Sequence, residues 1–146
     1  MKWYKEKLNE MIASEPIRSC CGDDCAVCPR RLASTDEELR QTAEFWYKVG
    51  WRDHIVSNDE IRCGGCGTRK RCTFMILPCM KEHAVSACSS CSQYPCERIA
   101  DMLHRSEIKA EECRVCCSDE AEWQMLKRAF YEKEKNLRLA ANKQAL

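Results

Sequence analysis

The chain has 146 residues, a net charge of +1 and 14 cysteines. That length suits one domain, or one domain with a helical extension. The near-neutral balance excludes a global field that would draw in nucleic acid or acidic lipid, and no stretch approaches the roughly 18 apolar residues of a membrane span.

Cysteine inflates the apolar share of 45%, so the ordinary core is thin and needs staples, either disulfides or metal. The N-terminus, Met1-Lys2-Trp3-Tyr4-Lys5-Glu6-Lys7, holds no apolar run of signal-peptide type. The expectation is a cytoplasmic protein with reduced thiols, and close pairs of reduced thiols point to metal.

Residues 2–13 read as one helix with Trp3, Leu8, Met11 and Ile12 on its inner side and Pro16 beyond its end. The first cysteine cluster follows: Cys20, Cys21, Cys25 and Cys28-Pro29. The sulfurs of adjacent cysteines point apart, so one of each neighbouring pair is expected to ligate; here that is Cys21. The C-x3-C-x2-C spacing also occurs in radical S-adenosylmethionine enzymes. Those need a large α/β barrel, and this chain is too short and lacks the strand–helix alternation.

Residues 34–50 form the clearest internal helix. A capping box is available as Ser34 with Glu37 or Thr35 with Glu38, and Leu39, Ala43, Trp46 and Val49 make the apolar face. Gly50 is its stop. A polar connector follows, and His54 within it reads as surface because no partner stands at ligand spacing.

The central stretch carries Cys63-Gly-Gly-Cys66, Cys72, Cys79, Cys88-Ser-Ser-Cys91 and Cys96. C-x2-C is the spacing at which one tight turn aims two sulfurs at one ion. The apolar segment Thr73–Pro78 fits a short strand or a helix start, and His83, four residues after Cys79, is the first His to consider as a ligand. Pro95 is placed in the first turn of a helix carrying Ile99, Met102 and Leu103 inward. The last cluster is Cys113-x2-Cys116-Cys117. A single helix from 118 to about 142 is predicted after it, with a stripe of Trp123, Leu126, Phe130, Leu137 and Ala141. At 1.5 Å per residue it spans about 36 Å, long enough to pair with a second chain as a homodimer.

Cys63, Cys88 and Cys113 begin clusters 25 residues apart, a spacing that a degenerate repeat or coincidence explains equally well. Setting aside Cys20 and Cys117 leaves Cys21, Cys25, Cys28, Cys63, Cys66, Cys72, Cys79, Cys88, Cys91, Cys96, Cys113 and Cys116 as metal ligands. One grouping is Cys79, Cys88, Cys91 and Cys96; a second is Cys25, Cys28, Cys63 and Cys66; Cys21, Cys72, Cys113 and Cys116 remain for a third. Zinc, two or three ions, suits closed sets of four thiolates; a 4Fe–4S cluster is the alternative on the same ligands. The metal energy outweighs the thin core, so the apoprotein is expected to be unfolded.

Cys21-Gly-Asp-Asp-Cys25-Ala-Val-Cys28-Pro29, the capped helix from Thr35, Cys63-Gly-Gly-Cys66 and Cys88-Ser-Ser-Cys91-Ser-Gln-Tyr94-Pro95-Cys96-Glu97 resemble a family of small Cys-rich bacterial and archaeal proteins, domain of unknown function 3795. The resemblance covers about residues 20–104. It implies metal binding through cysteine and no particular activity. Family members often carry a further cysteine between the positions of Cys72 and Cys79, where this chain has Phe74-Met75-Ile76.

The reading is therefore a mainly α, cysteine-rich, metal-stabilised chain with zinc-knuckle loops. Residues 1–19 form an N-terminal helix, 20–117 the metal-binding domain and 118–146 a helical extension. Its expected work is binding, first of all to protein, rather than catalysis, because no His, Glu or Ser constellation converges in the sequence. Redox chemistry at Cys20 or Cys117, or at an iron–sulfur cluster, is a second reading. Nucleic-acid contact through the basic loop Arg62–Arg71 is a third.

Overall fold

The computed structural model describes residues 1–66 and 73–144. Cys72 and the basic run Arg69-Lys70-Arg71 lie outside the described residues. Among the described residues, the chain is mainly helical and has no β-strand, only an isolated bridge between Arg18 and Asp24. No described helix is long and apolar enough to cross a membrane.

The N-terminal helix is two pieces, α1 (Lys2–Glu6) and α2 (Leu8–Ala13), joined at Lys7. The break changes which residues face inward. Trp3, Tyr4 and Met11 are buried, but Ile12 is 60% exposed, against the sequence expectation. A 3-10 turn (Cys25–Val27) and a short α3 (Pro29–Leu32) lead into α4 (Asp36–Val49).

Helix α4 forms as its sequence dictates. The Thr35 hydroxyl accepts from the Glu38 amide, and the Glu38 carboxylate accepts from the Ser34 and Thr35 amides. These amide bonds, Ser34's first, hold the Glu38 carboxyl below its usual range. Gly50 ends the helix at φ +85°, the left-handed value for which glycine is suited. Leu39, Ala43, Trp46 and Val49 are all buried, as expected.

Beyond α5 (Asn58–Ile61), the apolar segment resolves as α6 (Ile76–Glu82) rather than a strand. A 3-10 turn (Cys88–Ser90) precedes α7 (Glu97–Glu107). Cys96 takes the N-cap of α7, so Pro95 lies outside the helix instead of in its first turn. Helix α8 (Ala110–Cys116) carries Cys113 and Cys116 within it. That pair is not on a knuckle loop. Cys63 lies in extended chain, Cys88 starts a 3-10 turn and Cys113 sits inside a helix, so the three clusters share no local structure of the kind a repeat requires.

The long C-terminal helix is also two: α9 (Glu120–Phe130) and α10 (Lys133–Gln144). Neither Gly nor Pro marks the break, and tertiary packing overrides local propensity. Leu126 and Ala129 of α9 are fully buried with Trp3, Tyr4, Leu39 and Trp46 in a first apolar cluster. Leu137 of α10 belongs to a second, smaller cluster with Cys21, Ile76, Met80, Ile99 and Met102. One straight helix cannot serve both. The break removes the length argument for a second chain at this helix.

Each half of the broken helix rests on one cysteine turn. Helix α9 packs on Cys25–Val27, and α10 packs on Cys88–Ser90. The start of α10 is set by Gly22. Its φ is +88°, and a Cβ there would meet the Lys133 backbone at 2.7 Å (O) and 2.9 Å (Cα). The Gly22 carbonyl accepts from Asn136 Nδ2 at 2.8 Å. Gly22→Ala is expected to lower unfolding free energy by about 3 kcal/mol, combining left-handed strain with a displacement neither backbone can yield cheaply. Urea denaturation checks this, and a loss under 1 kcal/mol would mean that the approach is not tight.

Candidate metal centre

The tightest cysteine group of the sequence is brought together. Cys79 on α6, Cys88 and Cys91 flanking the 3-10 turn, and Cys96 at the N-cap of α7 line one cavity of about 30 Å³. That is room for one ion or one water. His83, the C-cap of α6, lines it as well. Burial pushes the Cys88 thiol up first, and the neighbouring sulfurs of Cys79, Cys96 and Cys91 push it further. The crowding that raises the Cys88 thiol is of the kind that a cation would relieve.

A second group gathers where α3 meets the chain after α5. The Arg30 guanidinium donates to the Ile61 and Glu60 carbonyls at 2.7 and 3.2 Å, and the Cys63 amide donates to the Arg30 carbonyl at 3.2 Å. This clamp holds buried Cys63 against the backbone two residues after Cys28, which is buried together with Cys25. The Asp24 side chain caps that loop from the Ala26 amide, and the Tyr4 hydroxyl, fully buried, donates to the Val27 carbonyl at 2.6 Å. Burial pushes the Cys28 thiol up to about 11, with Cys25 adding to it and the Arg31 and Arg30 amides opposing.

Cys20, not Cys21, approaches this side of the molecule. Its sulfur lies 3.7 Å from that of Cys66. The Cys21 sulfur instead meets the Ser19 hydroxyl at 3.3 Å and packs in the second apolar cluster. Gly22 turns the chain just after them and the protein interior takes Cys21, a choice invisible in two adjacent identical letters.

The third sequence grouping is not assembled among the described residues. Cys21 belongs to the second cluster and Cys113 to the first. Cys113 is fully buried, and its thiol is pushed up by a hydrogen bond with Cys117 and by burial; the same bond lowers Cys117. The Cys117 thiol lies 3.2 Å from the Cys113 carbonyl, and the Cys116 thiol donates to the Lys48 carbonyl at 3.6 Å. His54 is on the surface beside Asp53 at 2.6 Å, as expected.

No disulfide joins any of the described cysteines. Among the described residues, no three Cys, His, Asp or Glu side chains converge closely enough to hold a metal ion. The many thiols are compatible with metal binding, but the four sulfurs around the small cavity do not form a metal site among the described residues.

The family described as "protein of unknown function (DUF3795)" matches residues 17–101. The chain belongs to this family. No curated protein and no solved structure matches it. The DUF3795 match takes in the first two cysteine groups, from Cys20 to Cys96, with the capped helix between them. The dithiol pair of α8 and both C-terminal helices lie outside it. What sequence reasoning missed in the DUF3795 segment is the Arg30 clamp and the place of Cys20. The clamp has no sequence signal, since a basic residue after Cys-Pro reads as surface.

Proposed function

We propose that the chain is a metal–thiolate scaffold in which zinc staples helical layers too thin to hold alone. One ion is held by Cys79, Cys88, Cys91 and Cys96. A second is held by Cys25, Cys28 and Cys63, with Cys66 or Cys20 completing the set. Zinc suits closed all-thiolate sets because it is tetrahedral and redox-silent. When bound, it replaces thiol protons and ties chain segments that the apolar clusters do not. The observation that carries this reading is the single ion-sized cavity with four cysteines from three elements around it.

The chain's own residues prepare the sites. Tyr4 and Asp24 fix the Cys25–Cys28 turn, Arg30 holds the Cys63 backbone, and α7 presents Cys96 at its N-cap. The amides of Arg30 and Arg31 directed at Cys28 support a knuckle-type turn there. Binding, rather than turnover, is the work proposed for the assembled scaffold.

Cys88→Ser is expected to lose one metal equivalent per chain, and Cys117→Ser none, as read by elemental analysis of purified protein. Equal metal content in Cys88→Ser and the unaltered protein would remove Cys88 from the site.

A further inference from the structure

The metal cavity is not the opening of most biochemical interest. A separate cavity of about 330 Å³ lies between α4, the Thr73–Leu77 segment, α7 and the α9–α10 corner. Its volume is at the small end of the roughly 300–1,000 Å³ typical of small-molecule sites. The geometry points to a binding site for a small planar aromatic anion, a ring bearing a carboxylate or a phosphate.

Three observations meet there. The first is the wall: Trp46, Trp51, Phe74, Phe130 and Tyr131 line the cavity. Trp46 and Trp51 lie 4.7 Å apart between centroids, and Phe130 sits 5.5 Å from Trp51 and 5.6 Å from Trp46. These rings already support one another, so they form a preorganised surface on which a flat ligand loses little in ordering.

The second is charge. The lining holds Arg30, Arg52, Arg105, Lys109 and Lys133 against one carboxylate, Asp23, which is already paired with Lys133. Asp101 and Glu112 hold Arg105 and Lys109 from outside the lining. Arg52 makes no salt bridge among the described residues, although after the His54 hydrogen bond it helps to hold the neighbouring Asp53 carboxyl low; its Nη1 donates to the Trp51 carbonyl at 2.9 Å. An anion completes this arrangement, and a guanidinium is suited to carboxylate and phosphate alike.

The third is Ser106. Ser106 lines this cavity and the groove beside it, and its hydroxyl oxygen is buried without a hydrogen-bond partner among the described residues. Buried polar atoms in folded proteins nearly always have a partner, so this one marks a place for a ligand or water acceptor. The adjoining groove, with Lys127, Glu132, Glu134 and Lys135, is charge-balanced and does not favour an anion.

This site does not rest on the metal reading, although Cys20 and Cys66 form part of its wall. Isothermal titration of the metal-loaded full chain with AMP and with anthranilate tests it, and the two probes separate phosphate from carboxylate. Saturable binding of at least one is expected, with adenosine weaker than AMP wherever AMP binds. Arg52→Gln and Trp51→Leu are each expected to weaken the binding by about tenfold. Arg52→Gln keeps the proposal testable should Trp51→Leu fail to fold. No saturable heat from either probe at millimolar concentration overturns the proposal, as does unchanged binding by Arg52→Gln. Metal content read on the same samples keeps the two claims apart: binding without metal counts against the metal reading alone.

Discussion

Arg128→Met is expected to destabilise the protein by about 3–5 kcal/mol, the range for breaking a buried ion pair by removing one partner. Arg128 on α9 donates through Nε to Asp24 at 2.8 Å, through Nη1 to the Met11 carbonyl at 2.7 Å and through Nη2 to the Ser14 carbonyl at 2.9 Å. Asp24 is only 2% exposed, and it also accepts from the Ile17 and Ala26 amides at 2.9 and 3.0 Å. One guanidinium therefore joins α9, the end of α2 and the Cys25–Val27 turn. Methionine keeps the stem and leaves Asp24 buried as an unpaired anion. The coupling is checked with Asp24→Asn in a double-mutant cycle by urea unfolding. The double variant should cost less than the sum of the two single ones, since neutralising Asp24 removes the stranded charge. A loss under 1 kcal/mol for Arg128→Met would mean that the amides alone satisfy Asp24.

Metal removal should have the largest effect of all, and the two apolar clusters say where. The first cluster buries Tyr4, Leu39, Trp46, Leu126 and their neighbours from α1, α2, α4, α8 and α9. The second buries only Cys21, Ile76, Met80, Ile99, Met102 and Leu137 among the described residues, with partly buried neighbours such as Phe74, Tyr94 and Leu103 against them. Each structural zinc supplies on the order of 10 kcal/mol of apparent binding energy, more than a cluster with six buried side chains retains after the entropy of ordering is subtracted. Chelation should therefore melt α6, α7 and α10, roughly a third of the helical ellipticity, while the first cluster keeps a cooperative transition. The composition argued for an unfolded apoprotein; the size of the first cluster narrows that to loss of the second layer. Unchanged ellipticity after chelation would show that the second cluster stands without metal.

What could be read in advance follows from how local each signal is. The capping box at Thr35–Glu38, the stop at Gly50 and the inward face of α4 depend on residues within a few positions of one another, and all are found. Cys79, Cys88, Cys91 and Cys96 span only 18 residues and line one cavity, although no three of them converge closely enough to hold a metal ion. The split between α9 and α10 has no local cause. It follows from Gly22 and Asn136, 114 residues apart, and from two clusters that one straight helix cannot reach. Cys20 and Cys21 are likewise equivalent as letters and differ only in what the fold packs around them. Cys113-x2-Cys116 has the spacing of a knuckle, but i and i+3 are also neighbours on a helix, and α8 is what forms.

The aromatic face of α4 shows the same limit in another way. Trp46 packs as core, and it also walls the 330 Å³ cavity with Trp51 and Phe130. Periodicity finds the inward side of a helix. It cannot tell a filled interior from a lined opening, because that depends on α7 and the α9–α10 corner arriving from a distant part of the chain.

The most direct test of the metal–thiolate account is elemental analysis with an absorption spectrum on protein purified without oxygen. The account predicts two zinc ions per chain and no visible band. Iron with acid-labile sulfide and a band near the blue edge of the visible would contradict it and make the cysteine groups the seat of a redox cluster.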